Sequence, residues 1–386
     1  MSLLDLWKSS PEQIKEKQVQ QLISFAGEGQ LKDSNKTSHE FRELIANLPT
    51  IMIKRYIDEC LSNKFDDNGF ALQDIINEIG SRLGFSITNG RYRGIKGENG
   101  FDGLWDTPEG NQIVVEVKTT DVYRIDLNKI ASYRKTIIHD KTISEDKISI
   151  LIVVGRQDTG DLEAQIRGSK HAWDIRLISV EALLRLLSIK EEIEDPNIES
   201  RIRTILIPRE YTRLDDIIDL AFSTAENIKL DDVNESEVNQ DGEQKFSSKD
   251  KFNEECALRI SKIIGRSLIK QSKVLYSTSD KTFAIICAVS KEYDSEKSPN
   301  YWYAFYPHQR NKLESYKESF IAFGCGSPDR IIKIPYKEFS KFLDGMHQTH
   351  RNGTSYWHVS IYYEDGKYML HRKKGFSKIN LSQYLI

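Results

Sequence analysis

The chain has few cysteines, no long apolar run and no leader-like start. Its four cysteines are Cys60, Cys256, Cys287 and Cys325, and no two of them form a C-x-x-C pair. This spacing indicates neither a disulfide framework nor a zinc site. No apolar stretch approaches the roughly 18 to 20 residues that a membrane span needs. The N-terminus also lacks the basic start and apolar core of a signal peptide. We therefore expect a reduced, cytoplasmic protein that makes no membrane contact.

The motifs of two large enzyme classes are also missing. The sequence contains no G-x-x-x-x-G-K-[ST] phosphate loop, which argues against ATP-driven translocation by this chain. It contains no G-x-S-x-G nucleophile elbow. His139 and His171 have no neighbouring pattern typical of a Ser-His or Cys-His pair. Nucleotide-driven motors and serine or cysteine hydrolases are therefore not indicated.

Charge and aromatic residues are unevenly distributed along the chain. Residues 251–386 hold 22 lysines and arginines against 13 aspartates and glutamates, an excess of nine positive charges. Because the whole chain has a net charge of -3, the first 250 residues carry about -12. The C-terminal stretch also holds 22 of the 38 aromatic residues. A basic, aromatic-rich module is typical of nucleic-acid recognition, but an ordinary core or a dimerisation surface rich in Tyr and Phe has the same composition.

Hydrophobic periodicity divides the chain into four parts. Residues 1–65 have the apolar spacing of helices. Residues 66–228 alternate between helical and strand patterns, which predicts an α/β domain with a mixed sheet flanked by helices. Residues 229–250 are polar and have almost no apolar side chains, as in a linker. Residues 251–386 predict an α+β domain.

One hairpin of the α/β domain carries charged side chains among β-branched residues. Asp102 precedes its first strand, a turn follows at residues 108–111, and Glu116 and Lys118 lie in a second strand otherwise built mainly from Ile and Val. Residues two apart in a strand share a face, and the hairpin brings Asp102 back toward this pair. Two converging carboxylates repel each other unless a cation lies between them, and carboxylate oxygens favour Mg²⁺ or Mn²⁺. The alternative is a surface ion pair between Glu116 and Lys118.

Asp102, followed fourteen residues later by Glu116-Val117-Lys118, resembles the active-site motif of the PD-(D/E)XK nuclease superfamily. The fold of that superfamily is the one of the restriction endonucleases. Phe101 stands where the name-giving proline would be. The resemblance covers residues 66–190, and it is greater to the Mrr-like restriction enzymes than to enzymes with elaborate insertions.

The resemblance implies a restriction-endonuclease-like mixed sheet and a role for each motif residue. Asp102 and Glu116 would bind the metal together with the backbone carbonyl of Val117, and Lys118 would attend the attacking water. Glu78 corresponds to a further glutamate on the preceding helix of many members, and it would be both a ligand and a catalytic residue.

The activity that the resemblance implies is Mg²⁺-dependent hydrolysis of double-stranded DNA, with Mn²⁺ as a substitute. The expected setting is a prokaryotic restriction or anti-phage defence system. A DNA repair or recombination nuclease is one alternative. A catalytically idle nucleic-acid-binding protein on the same fold is another.

Weaker candidates lie outside the motif. A polar stretch after a long apolar strand is typical of a site rim; it makes Gln165 a candidate for orienting a phosphate, and Arg167 and Lys170 candidates for DNA contact. In the C-terminal domain, aromatic and basic residues would stack on bases or contact phosphates. These candidates are Trp302, Tyr303, Trp357, Arg372 and Lys373. A homodimer contact is the alternative for that domain, and proteins of a defence operon are further candidate partners.

Overall fold

The structure is a computed structural model, and it describes most of the chain. The described residues are 2–93, 100–119, 125–141, 143–155, 160–208, 248–293, 298–351 and 354–386. Of the predicted linker at 229–250, residues 229–247 lie outside these ranges. The chain divides into two compact units, Met1–Ser236 and Glu237–Ile386. Across the described ranges there are 13 α-helices and three five-stranded sheets, and none of these helices has the length and apolar character that a bilayer crossing requires.

The first unit begins with helices and continues as an α/β sheet. The leading helices are α1 (Leu3–Ser9), α2 (Pro11–Lys15), α3 (Val19–Phe25), α4 (Lys36–Ile45), α5 (Thr50–Ser62) and α6 (Asn68–Arg82). The sheet and its helices are β1 (Ser86–Asn89), β2 (Gly103–Asp106), β3 (Gln112–Lys118), α7 (Leu127–Lys141), β4 (Ile148–Val154), α8 (Gly160–Arg167), β5 (Ile175–Ser179), α9 (Val180–Glu192) and α10 (Ile198–Leu206). The strand order is β1-β2-β3-β4-β5, antiparallel from β1 to β3 and parallel from β3 to β5. The predicted mixed sheet of an α/β domain is confirmed.

Helices cover both faces of this sheet because its central strands are apolar on both sides. Every residue of β4 is buried, as expected for a strand packed on two faces. In β3, alternation sends Val115 and Val117 into a core built with the leading helices, α9 and α10. Val114 packs on the other face, against α7 and α8. The leading helices and the sheet therefore share one hydrophobic core.

The β2–β3 hairpin turns at the residues where the sequence predicts it. Gly110 has a φ of +83°, a conformation that glycine adopts without steric cost. Glu109 of the turn forms an ion pair with Arg203 of α10, at 2.5 Å. The Arg203 side chain is buried, so this pair is better shielded from water than a surface salt bridge. The hairpin is thereby held at its turn as well as along its strands.

The second unit combines helices with two sheets. Its elements are α11 (Ser248–Ile264), β6 (Ile269–Lys270), β7 (Leu275–Ser277), β8 (Phe283–Ser290), β9 (Asn300–Phe305), α12 (Pro307–Glu314), β10 (Glu318–Cys325), β11 (Ile331–Pro335), α13 (Tyr336–Phe339), β12 (Gln348–Arg351), β13 (Thr354–Glu364), β14 (Lys367–His371) and β15 (Ile379–Asn380). One sheet has the order β11-β10-β8-β7-β6, and the other has the order β12-β13-β14-β15 with β9 paired to β13. Helix α11 packs on one face of the first sheet, and the second sheet packs on the opposite face. The unit is therefore layered as helix, sheet and sheet.

Candidate active site

Asp102 lies at a β-bulge where the chain enters β2. Gly103 pairs with Val115 in the strand ladder, and the N–H of Asp102 also donates to the carbonyl oxygen of Val115, at 3.0 Å. Two residues of one strand therefore oppose one residue of the other, an arrangement that redirects side chains. The carboxylate of Asp102 accepts a hydrogen bond from the backbone N–H of Val117, at 2.6 Å.

Two buried amide side chains of α6 hold the backbone of Asp102. Gln73 Nε2 and Asn77 Nδ2 each donate to the carbonyl oxygen of Asp102, at 3.0 Å. They are four residues apart and so lie on one face of the helix. Asn77 Oδ1 also accepts a hydrogen bond from Trp105 Nε1, at 2.9 Å. Asn77 is not among the residues predicted from the sequence, although two amides at this spacing in an apolar helix are a recognisable signal.

Two glycines allow the strands and α6 to approach Asp102 closely. The N–H of Gly90 donates to the same carbonyl oxygen of Asp102, at 3.0 Å. A Cβ atom at Gly90 would overlap the backbone of Phe101 and Asp102, and one at Gly103 would overlap the carboxamide of Asn77. Close backbone approach therefore explains glycine at both positions.

Glu116 and Lys118 lie on one face of β3, with their charged groups in contact. Lys118 Nζ lies 2.5 Å from Glu116 Oε1, and the two side chains are 29% and 12% exposed, respectively. The second carboxylate oxygen, Glu116 Oε2, is buried and has no hydrogen-bond partner within the described part of the chain. Because a buried anionic oxygen without a donor is costly, this atom is a candidate ligand for a cation.

The pKa of Asp102 also indicates a cation site next to Glu116. Burial and, after it, the nearby negative charge of Glu116 raise the pKa of Asp102 to about 7. The N–H of Val117 and the ammonium of Lys118 oppose this rise. Carboxyl groups with a pKa raised by both burial and a like charge are concentrated at functional sites. Asp102 and Glu116 thus form an acidic pair that a cation would stabilise.

Glu78 does not join this acidic pair. Its carboxylate accepts a hydrogen bond from Arg82 Nε, one turn further along α6, at 2.7 Å. Arg82 also donates to the carbonyl oxygens of Ile45 and Leu48. Within the described ranges, no group of three or more His, Cys, Asp or Glu side chains is placed to hold a metal ion. Glu78 therefore pairs with an arginine that connects α6 to the end of α4 and the residues after it.

Gln165 is bound to the backbone rather than directed at the acidic pair. Its Oε1 accepts a hydrogen bond from the N–H of Ile125 at 3.0 Å, and its Nε2 donates to the carbonyl of Ile125 at 2.6 Å. Both ends of the amide are engaged, so the structure gives Gln165 a positioning role. Arg167 is exposed and pairs with Glu163 at 2.5 Å, and Lys170 is exposed. Both basic residues are accessible to a polyanion.

The aromatic candidates of the second unit are divided by strand alternation. Trp302 is 40% exposed, whereas its neighbour Tyr303 is 3% exposed and donates its hydroxyl hydrogen to the carbonyl of Gly324, at 2.9 Å. Trp357 is partly buried and packs against Phe305 of the core. Successive strand residues point to opposite faces, so the expected DNA contact by Tyr303 is corrected to a core position.

The two basic candidates near the end of the chain lie in one loop. Arg372 donates through Nε and Nη2 to the carbonyl oxygen of Ser377, at 2.9 and 2.7 Å. The backbone N–H of Lys373 donates to the carbonyl of Gly345, at 2.7 Å. Both side chains are partly exposed.

Comparison with known proteins adds no assignment. Searches with the chain found no family model and no curated protein that matches it. The resemblance to the PD-(D/E)XK nucleases therefore depends on the motif residues and on where the fold places them.

Proposed function

We propose that this protein is a metal-dependent phosphodiester hydrolase that cuts double-stranded DNA, with Mg²⁺ as its ion and Mn²⁺ as a substitute. The observation that carries the proposal is the buried oxygen Glu116 Oε2, which has no hydrogen-bond partner among the residues that the structure describes, in a carboxylate whose charge raises the pKa of the partly buried Asp102. The two carboxylates share the single positive charge of Lys118, which leaves one negative charge uncompensated, and this is unfavourable away from water unless the site is built for a cation.

The donor set fits a hard divalent cation. Asp102 and Glu116 would supply carboxylate oxygens, and the resemblance adds the carbonyl oxygen of Val117. Mg²⁺ is commonly bound through one or two carboxylates together with substrate phosphates, so a third acidic residue is not required. When bound, Mg²⁺ supplies positive charge that stabilises the negative charge developing on a phosphate during hydrolysis.

The residues around the acidic pair have separate tasks in this proposal. The N–H of Val117 orients the carboxylate of Asp102, while Gln73 and Asn77 fix its backbone. Lys118 holds an ammonium group at the end of β3. Its three N–H donors can orient an attacking water and offset charge on the phosphate.

The substrate and the biological setting depend on the resemblance. The element order α6, β1–β3, α7, β4, α8, β5, α9 supports the implied restriction-endonuclease-like core. The positive excess and the aromatic content of residues 251–386 support a nucleic-acid substrate. A prokaryotic restriction or anti-phage defence system is the proposed setting, and a repair or recombination nuclease would use the same site chemistry.

The experiment compares wild type with Glu116→Gln, which keeps the shape and removes the charge. Wild type should cut supercoiled plasmid in Mg²⁺ or Mn²⁺, lose this activity in EDTA, and bind Mn²⁺ in isothermal titration calorimetry. The variant should lose both cleavage and Mn²⁺ binding. Asp106→Asn, on the same hairpin but paired with Gln112, is the matched control and should retain both. Cleavage by Glu116→Gln at the wild-type rate would overturn the proposal. If wild type bound neither Mn²⁺ nor Mg²⁺, the alternative function, a catalytically idle nucleic-acid-binding protein, would be favoured.

A further inference from the structure

The second sheet of the second unit has one face in the core and one face outside it. Val359 and Ile361 of β13 point into the core between the two sheets. The alternate residues, Tyr356, His358 and Ser360, point the other way and are partly exposed. Several aromatic residues that are not part of the core lie on this outer face.

Five rings form a continuous cluster on that outer face. The ring cluster consists of Trp302, Tyr306, His308, Tyr356 and His358. Trp302 meets Tyr356 edge to face, with centroids 6.3 Å apart and planes at 85°. Tyr356 in turn lies 5.0 Å from His358 and 5.6 Å from Tyr306, and Tyr306 stacks with His308 at 5.4 Å. The rings therefore run from β9 to β13 without a break.

Hydrogen bonds hold the centre of the ring cluster in one arrangement. Trp302 Nε1 donates to Nδ1 of His358 at 3.1 Å, so Nδ1 is an acceptor and the ring proton is on Nε2. The N–H at Nε2 can donate to the hydroxyl oxygen of Thr349, which lies 2.7 Å away. Burial lowers the pKa of His358, in agreement with a neutral ring. The rings are thus pre-organised, which reduces the entropy cost of binding a ligand.

The net charge of the C-terminal residues favours a polyanion as the ligand of this unit. Residues 251–386 carry an excess of nine positive charges. Glu364 is one of the alternate β13 residues whose side chains point away from the core. It forms an ion pair with Lys378 at 2.7 Å and contacts His371 at 2.8 Å. A polyanion with flat, apolar groups satisfies both the charge and the rings, and a nucleic acid strand with unpaired bases has this chemistry.

We propose that the ring cluster stacks unpaired bases of single-stranded DNA. Stacking tolerates any base sequence, because every base has a π face, while the net positive charge of residues 251–386 attracts the phosphates. The stacking follows from the rings themselves, whereas the choice of DNA rests on the proposed function. The face would hold the DNA strand near the protein without needing the acidic pair of Asp102 and Glu116.

The experiment measures binding by the full chain in EDTA, so that hydrolysis plays no part. Fluorescence anisotropy compares a labelled oligothymidylate with an abasic oligomer of the same length, which has the same phosphates and no bases. Wild type should bind the base-bearing strand at least about fivefold more tightly. Trp302→Ala and Tyr356→Ala should each remove most of this difference. Trp302→Phe keeps a stacking ring but loses the hydrogen bond to His358, and it should retain the difference. Trp173→Ala, which removes a 74% exposed tryptophan of the first unit, should behave as wild type.

Several results would overturn this proposal. Equal affinity for the base-bearing and abasic strands would show attraction to phosphates only. Loss of the difference in Trp302→Phe would show that the hydrogen bond, and not the ring, is required. Dimerisation in analytical ultracentrifugation that disappears in Trp302→Ala, without base-dependent binding, would assign the face to a second copy of the chain. Circular dichroism checks that each variant is folded. None of these results depends on metal binding or cleavage, so the outcome is separable from that of the proposed hydrolase.

Discussion

The carboxylate of Asp102 accepts a hydrogen bond from the backbone N–H of Val117, the residue between Glu116 and Lys118. This bond ties the acidic residue of one hairpin arm to the motif strand of the other. Removal of either carboxylate should therefore change both the cation site and the stability of the metal-free protein.

Asp102→Asn should abolish cleavage and Mn²⁺ binding but stabilise the metal-free protein. The pKa of Asp102 in the folded state, about 7, is above its ordinary value of 3.8, so the native state binds more protons than the unfolded state between these values. Stability therefore falls as the pH rises toward 7 and stays reduced above it. Above pH 7 we expect the asparagine variant to gain about 1–3 kcal/mol in chemical denaturation without metal. A variant less stable than wild type under these conditions would contradict the account of the acidic pair.

Lys118→Met should separate metal binding from cleavage. The ammonium contacts Glu116 Oε1 and is not itself a ligand, so its removal should leave Mn²⁺ affinity unchanged or higher. Cleavage should fall by about a hundredfold or more, as for the loss of a group that assists proton transfer and charge stabilisation. Lys129→Met, at an exposed position of α7, is the matched control. If Lys118→Met cut plasmid as fast as wild type, Lys118 would have only a structural ion pair.

Glu78→Ala should affect stability and not the metal. Arg82 is 5% exposed and would lose its charged partner, which we expect to cost about 2–3 kcal/mol. Mn²⁺ affinity should stay at the wild-type value because Glu78 pairs with Arg82 instead of facing the acidic pair. Isothermal titration calorimetry measures the Mn²⁺ affinity of the variant, and thermal denaturation measures its stability. Loss of Mn²⁺ affinity at unchanged stability would restore Glu78 as a ligand.

Gln165→Ala should lower the melting temperature, because the amide makes two hydrogen bonds to the backbone of Ile125. We expect a loss of about 1–3 kcal/mol, with cleavage retained at temperatures where the variant is fully folded. A folded variant that no longer cuts would instead support the predicted phosphate contact. Gln165→Glu keeps the acceptor but places a carboxylate oxygen against the carbonyl oxygen of Ile125, so it should also be less stable than wild type.

Tyr303→Phe should leave DNA affinity unchanged and cost about 1–2 kcal/mol of stability. Its hydroxyl lies in the core, where it donates to the carbonyl of Gly324, and the variant removes only that group. Anisotropy with labelled duplex and single-stranded DNA, together with urea denaturation, tests both parts. Weaker DNA binding by a stable variant would show that Tyr303 reaches the nucleic acid.

The parts of the fold that were predictable depend on local periodicity. The uninterrupted apolar run at residues 148–154 is typical of a strand that is buried on both faces, and all residues of β4 are buried. Turn residues at 108–111 predicted the hairpin, and alternation predicted that Val115 and Val117 share one face. These features follow from the geometry of the backbone, which sets the side-chain period within a few residues.

Other features depended on partners distant in sequence. The apolar spacing of residues 336–347 fits one continuous helix, but these residues form only the short helix α13, followed by a 3₁₀ helix at Ser340–Gly345. Tyr303 and Trp302 are adjacent in sequence, yet only the packing of the two sheets shows which ring is in the core. Sequence spacing gave no means of deciding between Glu78 and the amides of α6 as neighbours of Asp102.

Local patterns were therefore enough to predict the hairpin and the charged residues within it. The contacts of these residues were not predictable in this way: Gln73 and Asn77 bind the backbone of Asp102, Arg82 pairs with Glu78, and Glu116 Oε2 is buried with no hydrogen-bond partner among the described residues. The difference lies in how far apart along the chain the interacting groups are. Periodicity is set by bonds within a strand or helix turn, whereas hydrogen-bond partners and burial are set by which surfaces of distant elements pack together.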